Sequence, residues 1–165
     1  MPGFTASNLT LKPKIFLGHF WTLVKIGDIQ VQGQEIPIKD VKIPDTTFEV
    51  FEQKGASLVY KYAKFARYGD ATITFYDIKG LYKKLEDWKK EIWTPDEGIQ
   101  PKKQYARETI IQQTDGQGAY GNPQVTYRLI NSWPKNISRS LLTYTNSEAH
   151  LVTVLLACDY MEVTG

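Results

Sequence analysis

The amino-acid sequence predicts a mainly β protein, an antiparallel barrel or sandwich with one flanking helix at about residues 78–93. Residues 71–76 alternate between apolar and polar side chains, and this period of two is typical of a half-buried strand. The period then changes, because apolar side chains recur at the spacing of one helical stripe at Leu81, Leu85, Trp88 and Ile92. The other segments have the patterns of strands and loops, so the helix is expected to pack against a sheet.

The ends and the outer side of this helix can also be predicted. Asp77 is a suitable N-cap, since its carboxylate can accept from free backbone N–H groups, and Pro95 is expected to stop the helix. Glu86 and Lys90 are expected to form an ion pair one helical turn apart. The outer side is interpreted either as a solvated surface or as a docking surface for an outer partner protein. Its charged residues are Lys83, Glu86, Asp87 and Lys90.

The composition is that of a single domain of 165 residues, with 42% hydrophobic and 23% charged residues. A net charge of +2 without a basic run argues against sequence-specific nucleic-acid binding. The single cysteine, Cys158, excludes an intramolecular disulfide and a cysteine metal cage, and it is expected to be buried. The sequence has neither a long apolar segment nor the pattern of a secretory signal, so we expect assembly in the cytoplasm and no membrane partner.

Two strands are predicted before the aromatic-rich central segment. The first covers residues 19–26 and the second covers residues 35–43. In the second strand the alternation slips near Lys39-Asp40, which indicates a β-bulge. Residues 1–18 have no clear period and are predicted to form an N-terminal arm.

Residues 47–68 carry many apolar side chains without one clean period. Residues 47–53 and 57–63 are expected to pair as a hairpin around Lys54-Gly55. Two interpretations stay open: the hairpin is a protein–protein interface, or it folds back over its own core. The apolar side chains concerned are Phe48, Phe51, Leu58, Tyr60, Tyr62 and Phe65.

Four strands are predicted after the helix, at residues 105–114, 124–131, 137–145 and 150–160, with Trp133-Pro134 ending the second of them. The loop Asp115–Pro123 contains a Gly-x-Gly pattern, but no helix follows to hold a phosphate, and its role stays open. The last strand is apolar in both phases, which is typical of a strand covered on both faces. The predicted core comprises Phe75, Leu81, Leu85, Trp88, Ile92, Trp133 and Leu155.

The sequence contains no catalytic constellation. His19 and His150 are isolated, and no HExxH, GxSxG or P-loop pattern occurs. A metal site needs several ligands at suitable spacing, and the sequence offers none. We therefore expect no enzyme activity, no cofactor and no metal, and an enzyme whose site is assembled from distant residues stays a remote alternative.

In the order of its segments, the chain resembles the tail-tube proteins of contractile-tailed bacteriophages. The early pair HFWTLVKI and EIPIKDVKIP is followed by a long hairpin, by ATITFYD and by a helix with an inward tryptophan, LEDWKKEI. Then come VTYRLINSWPKNI, with its Leu-x-x-x-Trp-Pro element, and an apolar strand that ends in ACDYMEV. The resemblance covers most of the chain and depends on the order, spacing and total length of these elements.

The resemblance implies that six copies form a ring with a continuous inner β-barrel, and that rings stack into a hollow conduit for genome delivery inside a contractile sheath. It implies that the hairpin of residues 47–68 reaches the neighbouring ring and that the N-terminal arm and the C-terminal segment take part in stacking. It also implies that the outer helix side faces the sheath protein. Other implied partners within the virion tail are the baseplate initiator, the tail terminator, the tape-measure protein and, transiently in the lumen, DNA.

Two alternatives share the same fold: a tube-initiator protein of the baseplate and the inner tube of a bacterial contractile injection system. A repeating tube subunit polymerises from a single species, whereas an initiator stops at one ring. A more remote alternative is a monomeric β-barrel that binds a sugar or an apolar ligand through aromatic side chains at its mouth.

Overall fold

The computed structural model describes residues 21–32, 36–116, 121–145 and 148–165, which form two packed antiparallel sheets with one flanking helix. The predicted N-terminal arm, the start of the first predicted strand and Glu35 lie outside the described residues. The mainly β class with a single long helix is confirmed.

The elements follow one another along the chain as β1 Trp21–Ile26, β2 Ile29–Gln30, β3 Ile38–Lys42, β4 Thr46–Lys54, β5 Val59–Tyr68, β6 Ala71–Tyr76, α1 Leu81–Ile92, β7 Trp93–Thr94, β8 Gly98–Ile99, α2 Lys102–Tyr105, β9 Arg107–Thr114, β10 Pro123–Arg139, β11 Leu151–Ala157 and β12 Tyr160–Thr164. The bulge predicted near Lys39-Asp40 is present, because the pairing of β3 with β6 shifts register between Ile38 and Asp40.

Strand β10, 17 residues long, belongs to both sheets. Its first half lies between β9 and β12, and this first sheet has the order β2-β1-β9-β10-β12. Its second half pairs with β11, and this second sheet has the order β10-β11-β6-β3. The described strands do not close into a ring, since β2 and β3 lie at opposite ends of the path. The fold is therefore a sandwich joined along β10, and not a closed barrel.

The predicted break at Trp133-Pro134 is wrong, because β10 continues through both residues to Arg139. A proline is tolerated there since this half of β10 is paired with β11 on one side and is open on the other. Irregularities lie on both sides of the proline. Asn131 has a φ of 54° and donates a 2.9 Å hydrogen bond to Asp159, and the pairing of β10 with β11 shifts register between Pro134 and Asn136. The predicted strand at residues 137–145 is wrong beyond Arg139.

The predicted last strand is divided in two. β11 and β12 both run antiparallel to β10, and they are separated at Cys158 and Asp159, opposite Asn131. Cys158 is half-buried rather than buried, and this burial raises the pKa of its thiol.

The core lies between the two sheets and is closed on one side by α1. Its side chains come from β1, β6, β9, β10, β11 and the inner side of the helix, and include the predicted residues Phe75, Leu81, Leu85 and Trp88. Trp133 is half-buried and packs edge-on against Tyr105, with ring centroids 5.9 Å apart. Two other predicted core residues belong neither to the buried cluster nor to the half-buried side chains packed against it. Ile92 is half-buried at the helix end, and Leu155 lies on the opposite face of the second sheet, beside Thr72.

The helix starts later than predicted, at Leu81, and its N-cap is Gly80, with a φ of 90° and no side-chain cap. The prediction that Asp77 is the N-cap is wrong, because its carboxylate is engaged by Arg139 and His150. The helix ends at Ile92, two residues before Thr94-Pro95. The short β7, β8 and α2 were not predicted within the segment after the helix.

Trp88 attaches the helix to the first sheet. Its indole Nε1 donates a 2.8 Å hydrogen bond to the backbone oxygen of Tyr105. Its ring lies over Gly27, where a Cβ atom would be 2.7 Å from the Trp88 ring. Gly27 also has a φ of +57°, which favours glycine. The turn between β1 and β2 therefore requires glycine for two independent reasons.

We expect Gly27→Ala to reduce the free energy of unfolding by roughly 2–4 kcal/mol, since backbone strain and overpacking add. The matched control is Gly98→Ala, because Gly98 has a φ of +72° and no atom within 4 Å of its added Cβ. The control should lose only the free energy that corresponds to backbone strain, roughly 1–2 kcal/mol. Urea denaturation of both variants measures the difference, and equal losses would contradict the packing argument.

Asp77 ties together the ends of β6, β10 and β11. Its backbone N–H donates to the His150 backbone oxygen at 2.8 Å. Its carboxylate accepts from Arg139 and lies 2.9 Å from Nδ1 of His150. The Arg139 guanidinium in turn stacks 4.3 Å from the centre of the Tyr82 ring. The hydrogen bond from Arg139 holds the pKa of Asp77 below its usual value of 3.8, against the opposing effect of burial.

A carboxyl group whose pKa is lowered by folding stabilises the fold above its unfolded pKa, and this contribution is lost as the pH falls through the folded pKa. We expect Asp77→Asn to lower the free energy of unfolding by about 1–3 kcal/mol at about pH 7. The difference from the unmodified protein should shrink as the pH drops below about 4. Asp45→Asn is the control, since its ion pair with Lys42 is largely exposed. Thermal unfolding against pH measures both, and a pH-independent difference would refute the Asp77 account.

Candidate assembly interface

Within the described part of the chain, strands β4 and β5 form a hairpin that pairs with neither sheet of the sandwich. The turn is closed by a 2.7 Å hydrogen bond from the Gly55 N–H to the Leu58 oxygen. The base is closed by a 2.8 Å bond from the Gly69 N–H to the Asp45 oxygen. The predicted hairpin around Lys54-Gly55 is confirmed, and its second strand is longer than predicted.

Both faces of this hairpin carry apolar side chains. Residues opposite each other on paired strands share a face. One face holds the pair Phe51 and Tyr62, whose ring centroids are 6.4 Å apart, and also Phe65. The other face holds the pairs Phe48–Ala66 and Val50–Ala63. A hairpin that is apolar on both faces is suited to lie between two protein surfaces.

The apolar side chains of the hairpin are exposed in the single chain. The six predicted residues are between 44% and 63% exposed, and Val50 and Val59, which were not predicted, are similarly exposed. Uncovered apolar area of this kind marks an interface, since burying it is favourable by about 25 cal/mol per Å². The interpretation that the hairpin folds back over its own core is therefore wrong.

Charged side chains flank the aromatic face. Glu49 forms ion pairs with Arg67 at 3.0 Å and with Lys64 at 3.9 Å, and the Arg67 guanidinium lies 5.1 Å from the centre of the Phe65 ring. These exposed pairs contribute at most about 1 kcal/mol each. Charged groups along an unpaired strand also keep single chains from pairing indiscriminately.

The outer side of α1 is a second candidate surface. Lys83, Asp87 and Lys90 are exposed, as expected. Glu86 is partly buried, and its side chain pairs with Lys89 at 3.3 Å, so the predicted pair with Lys90 is replaced by one at three-residue spacing. Glu86 also hydrogen-bonds the Tyr82 hydroxyl, which raises the pKa of Tyr82.

A cleft of about 410 Å³ separates α1 from the turn between β1 and β2, and its lining includes Asp28, Lys84, Asp87 and Glu91. Arg107 donates to Asp28 at 2.7 Å and to Glu91 at 2.8 Å, so two of these carboxylates hold the helix to the sheet. The hydrogen bond to Asp28 raises the pKa of Arg107.

Among the described residues, no group of histidine, cysteine and carboxylate side chains could hold a metal ion. In the same part of the chain, no helix has the length and apolar character needed to span a bilayer. A sandwich with an uncovered apolar hairpin is typical of a protein that assembles with other chains.

Comparison with known proteins agrees with this class. The family model described as phage tail tube protein matches residues 26–162. The chain belongs to the phage tail tube protein family, and the resemblance found in the sequence is confirmed. This family consists of structural proteins and not of enzymes. No curated protein matches the sequence.

Solved structures of contractile systems share the fold at low sequence identity. The tube-terminating cap of the anti-feeding prophage has a TM-score of 0.74 and 16% identity, covering 98% of this chain and 99% of that chain. The sheath-tube complex of an extracellular contractile injection system, PVC, has a TM-score of 0.71 and 16% identity, covering 99% of both chains. The anti-feeding prophage baseplate has a TM-score of 0.57 and 13% identity, covering 78% of both chains.

Proposed function

We propose that this chain is the repeating structural subunit of a tail tube. Copies assemble into hexameric rings, and the rings stack into a hollow conduit for genome delivery inside a contractile sheath. The exposed hairpin of β4 and β5 is the observation on which the proposal rests, because a neighbouring copy must cover its apolar faces. Membership of the phage tail tube family supports the proposal.

The hairpin is proposed to contact the next ring. Its predicted contact residues are Phe48, Phe51, Leu58, Tyr60, Tyr62 and Phe65, which lie on both faces and at the turn. An element that is apolar on both faces fits between two neighbouring subunits better than against one. The N-terminal arm is proposed to support the same stacking.

The outer side of α1 is proposed to face the sheath protein through Lys83, Asp87 and Lys90, with Glu86 fixed by Lys89. Further proposed partners are the baseplate initiator, the tail terminator, the tape-measure protein and DNA passing through the lumen. The related fold in a sheath-tube complex, a terminating cap and a baseplate supports the sheath, terminator and baseplate partners. The protein is proposed to be a virion tail component that assembles in the host cytoplasm.

A second candidate is a protein that forms one ring at an end of the tube. The structural likeness to a tube-terminating cap favours a terminator, and the likeness to a baseplate favours an initiator. The inner tube of a bacterial contractile injection system shares the same likeness. Electron microscopy of the purified, concentrated protein separates these candidates. Long hollow tubes support the repeating subunit, single rings support a cap or initiator, and monomers would contradict both.

The double substitution Phe51→Ser with Tyr62→Ser is expected to leave rings intact and abolish long tubes, because the aromatic face no longer contributes to stacking. The control is Glu52→Ser with Lys61→Ser, a paired position on the other face of the same strands. Sedimentation velocity and electron microscopy measure assembly, and thermal unfolding should show little change in either single chain. Deleting residues 54–62 should likewise leave rings possible and abolish stacking, and tubes formed by that variant would refute the role of the hairpin.

A further inference from the structure

The imidazole ring of His150 closes the base of the loop between β10 and β11. Its Nε2 atom lies 2.6 Å from the backbone oxygen of Ser140, and its Nδ1 atom lies 2.9 Å from a carboxylate oxygen of Asp77. The side chains of His150 and Asp77 are only 23% and 12% exposed, so water does not readily replace these contacts. The ring therefore connects the residue after β10 to the residue after β6.

Both oxygen atoms that face the ring are hydrogen-bond acceptors. A backbone carbonyl oxygen has no proton to donate. The hydrogen bond from Arg139 holds the pKa of Asp77 below its usual value, so its carboxylate is ionised near neutral pH. A neutral imidazole has one N–H group and would turn a lone pair toward the second acceptor. The two distances therefore fit a doubly protonated ring, which donates to both oxygens.

The same contact replaces one bond of the ladder between β10 and β11. Ser140 lies opposite Leu151, because the preceding pair is Arg139 and Val152. The Ser140 N–H donates to the Leu151 oxygen at 2.9 Å, as in a regular antiparallel pair. The Leu151 N–H donates instead at 3.0 Å to the Ser140 hydroxyl oxygen, and the Ser140 carbonyl oxygen accepts from the ring. Ser140 therefore supplies two alternative acceptors for one N–H group.

Several charged or titratable side chains lie on the segments that meet at the ring. Arg139 binds the Asp77 carboxylate and stacks on the Tyr82 ring of α1. Among these groups, histidine is the one whose charge ordinarily changes between about pH 5 and pH 8. Besides His150, the set comprises Asp77, Lys79, Tyr82, Glu86, Arg139 and Glu148.

We propose that His150 is a proton-controlled latch on the loop between β10 and β11. The doubly protonated ring joins the Ser140 oxygen to the Asp77 carboxylate and holds the base of the loop against the end of β6. Loss of one ring proton to water breaks one of these two bonds and releases the Ser140 oxygen to the Leu151 N–H, which extends the regular ladder by one bond. The latch stabilises the loop while the ring is protonated, and this contribution is lost as the pH rises.

The loop carries apolar side chains that another chain could contact. Leu141 and Leu142 are 84% and 76% exposed, and Tyr144 is fully exposed. These residues directly follow Ser140, so the bonds of the latch determine how they are presented. The latch thereby makes this apolar surface dependent on pH. The inference rests on contacts within one chain and is independent of the proposed tube function.

Nuclear magnetic resonance of the dissociated chain tests the proton state of the ring. The chain has two histidines, so in a His19→Gln background all imidazole signals come from His150. At about pH 5.5 we expect two ring N–H signals that exchange slowly with water, because both protons are hydrogen-bonded. At about pH 8.5 one tautomer with a single N–H should remain. A neutral ring at about pH 5.5, or rapid exchange of both protons there, would overturn the inference.

Limited proteolysis of the dissociated chain tests whether the ring holds the loop. Chymotrypsin can cleave after Leu141, Leu142 and Tyr144, and mass spectrometry identifies these cuts. At about pH 6 the unmodified loop should be cleaved about tenfold more slowly than the loop of His150→Gln, because glutamine cannot supply the charged hydrogen bond. At about pH 8.5 the two rates should be similar, since the neutral ring also makes one bond. The same ratio of rates at both pH values would contradict the latch.

Ser140→Ala tests the replaced ladder bond. Without the hydroxyl oxygen, the ring and the Leu151 N–H compete for the Ser140 carbonyl oxygen, so the loop should be cleaved faster than in the unmodified protein at about pH 6 and equally fast at about pH 8.5. Ser138→Ala is the matched control, because its hydroxyl lies 3.5 Å from the Thr153 oxygen, two residues before the latch.

The outcomes separate the latch from the proposed function. Equal effects of Ser140→Ala and Ser138→Ala on cleavage at low pH would overturn the latch and leave the tube function standing. Unmodified protein that stays monomeric at high concentration would overturn the tube function and leave the latch standing. Slow exchange of both ring protons together with a cleavage ratio that disappears at high pH supports the latch.

Discussion

The hydrogen-bonded ladder along β10 is the interaction on which the rest of the structure depends. This strand pairs with β9 and β12 in its first half and with β11 in its second half, so it holds both sheets in register. Because one strand continues from sheet to sheet, the core side chains of β6 and β11 are held opposite those of β1 and β9. Asn131 and its bond to Asp159 adjust the ladder where the two halves meet, without ending the strand.

The sandwich buries its own core but leaves apolar side chains exposed on other surfaces. The hairpin exposes apolar side chains on both faces, and among the described residues both edges of the second sheet have no partner strand. A stable monomer rarely keeps such features, because exposed apolar area and free strand edges promote association. Membership of the phage tail tube protein family agrees with the proposal that other copies of the chain cover these surfaces. We therefore propose that the single chain is one part of a larger structure.

Local patterns predicted the parts of the fold that depend on local chemistry. The alternation in β6, the helical stripe of Leu81, Leu85 and Trp88, and the slip at the β3 bulge all lie in short windows of sequence. The predictions were wrong where residues distant in the sequence determine the local structure. Asp77 does not cap the helix, because its carboxylate pairs with Arg139 and His150. Pro134 is tolerated within β10, because among the described strands this part of β10 has a partner on one side only. The sequence predicted the hairpin. Which side chains share a face depends on the cross-strand register, and the sequence does not show this register.

The central claim is that neighbouring copies cover the hairpin, and hydrogen–deuterium exchange of its backbone amides tests this most directly. A two-stranded hairpin alone is marginally stable, so β4 and β5 should exchange rapidly in the dissociated chain. In assembled tubes the account predicts strong protection of residues 46–54 and 59–68, with the core strand β6 protected in both states. Equally rapid exchange of the hairpin in tubes and in single chains would contradict the account.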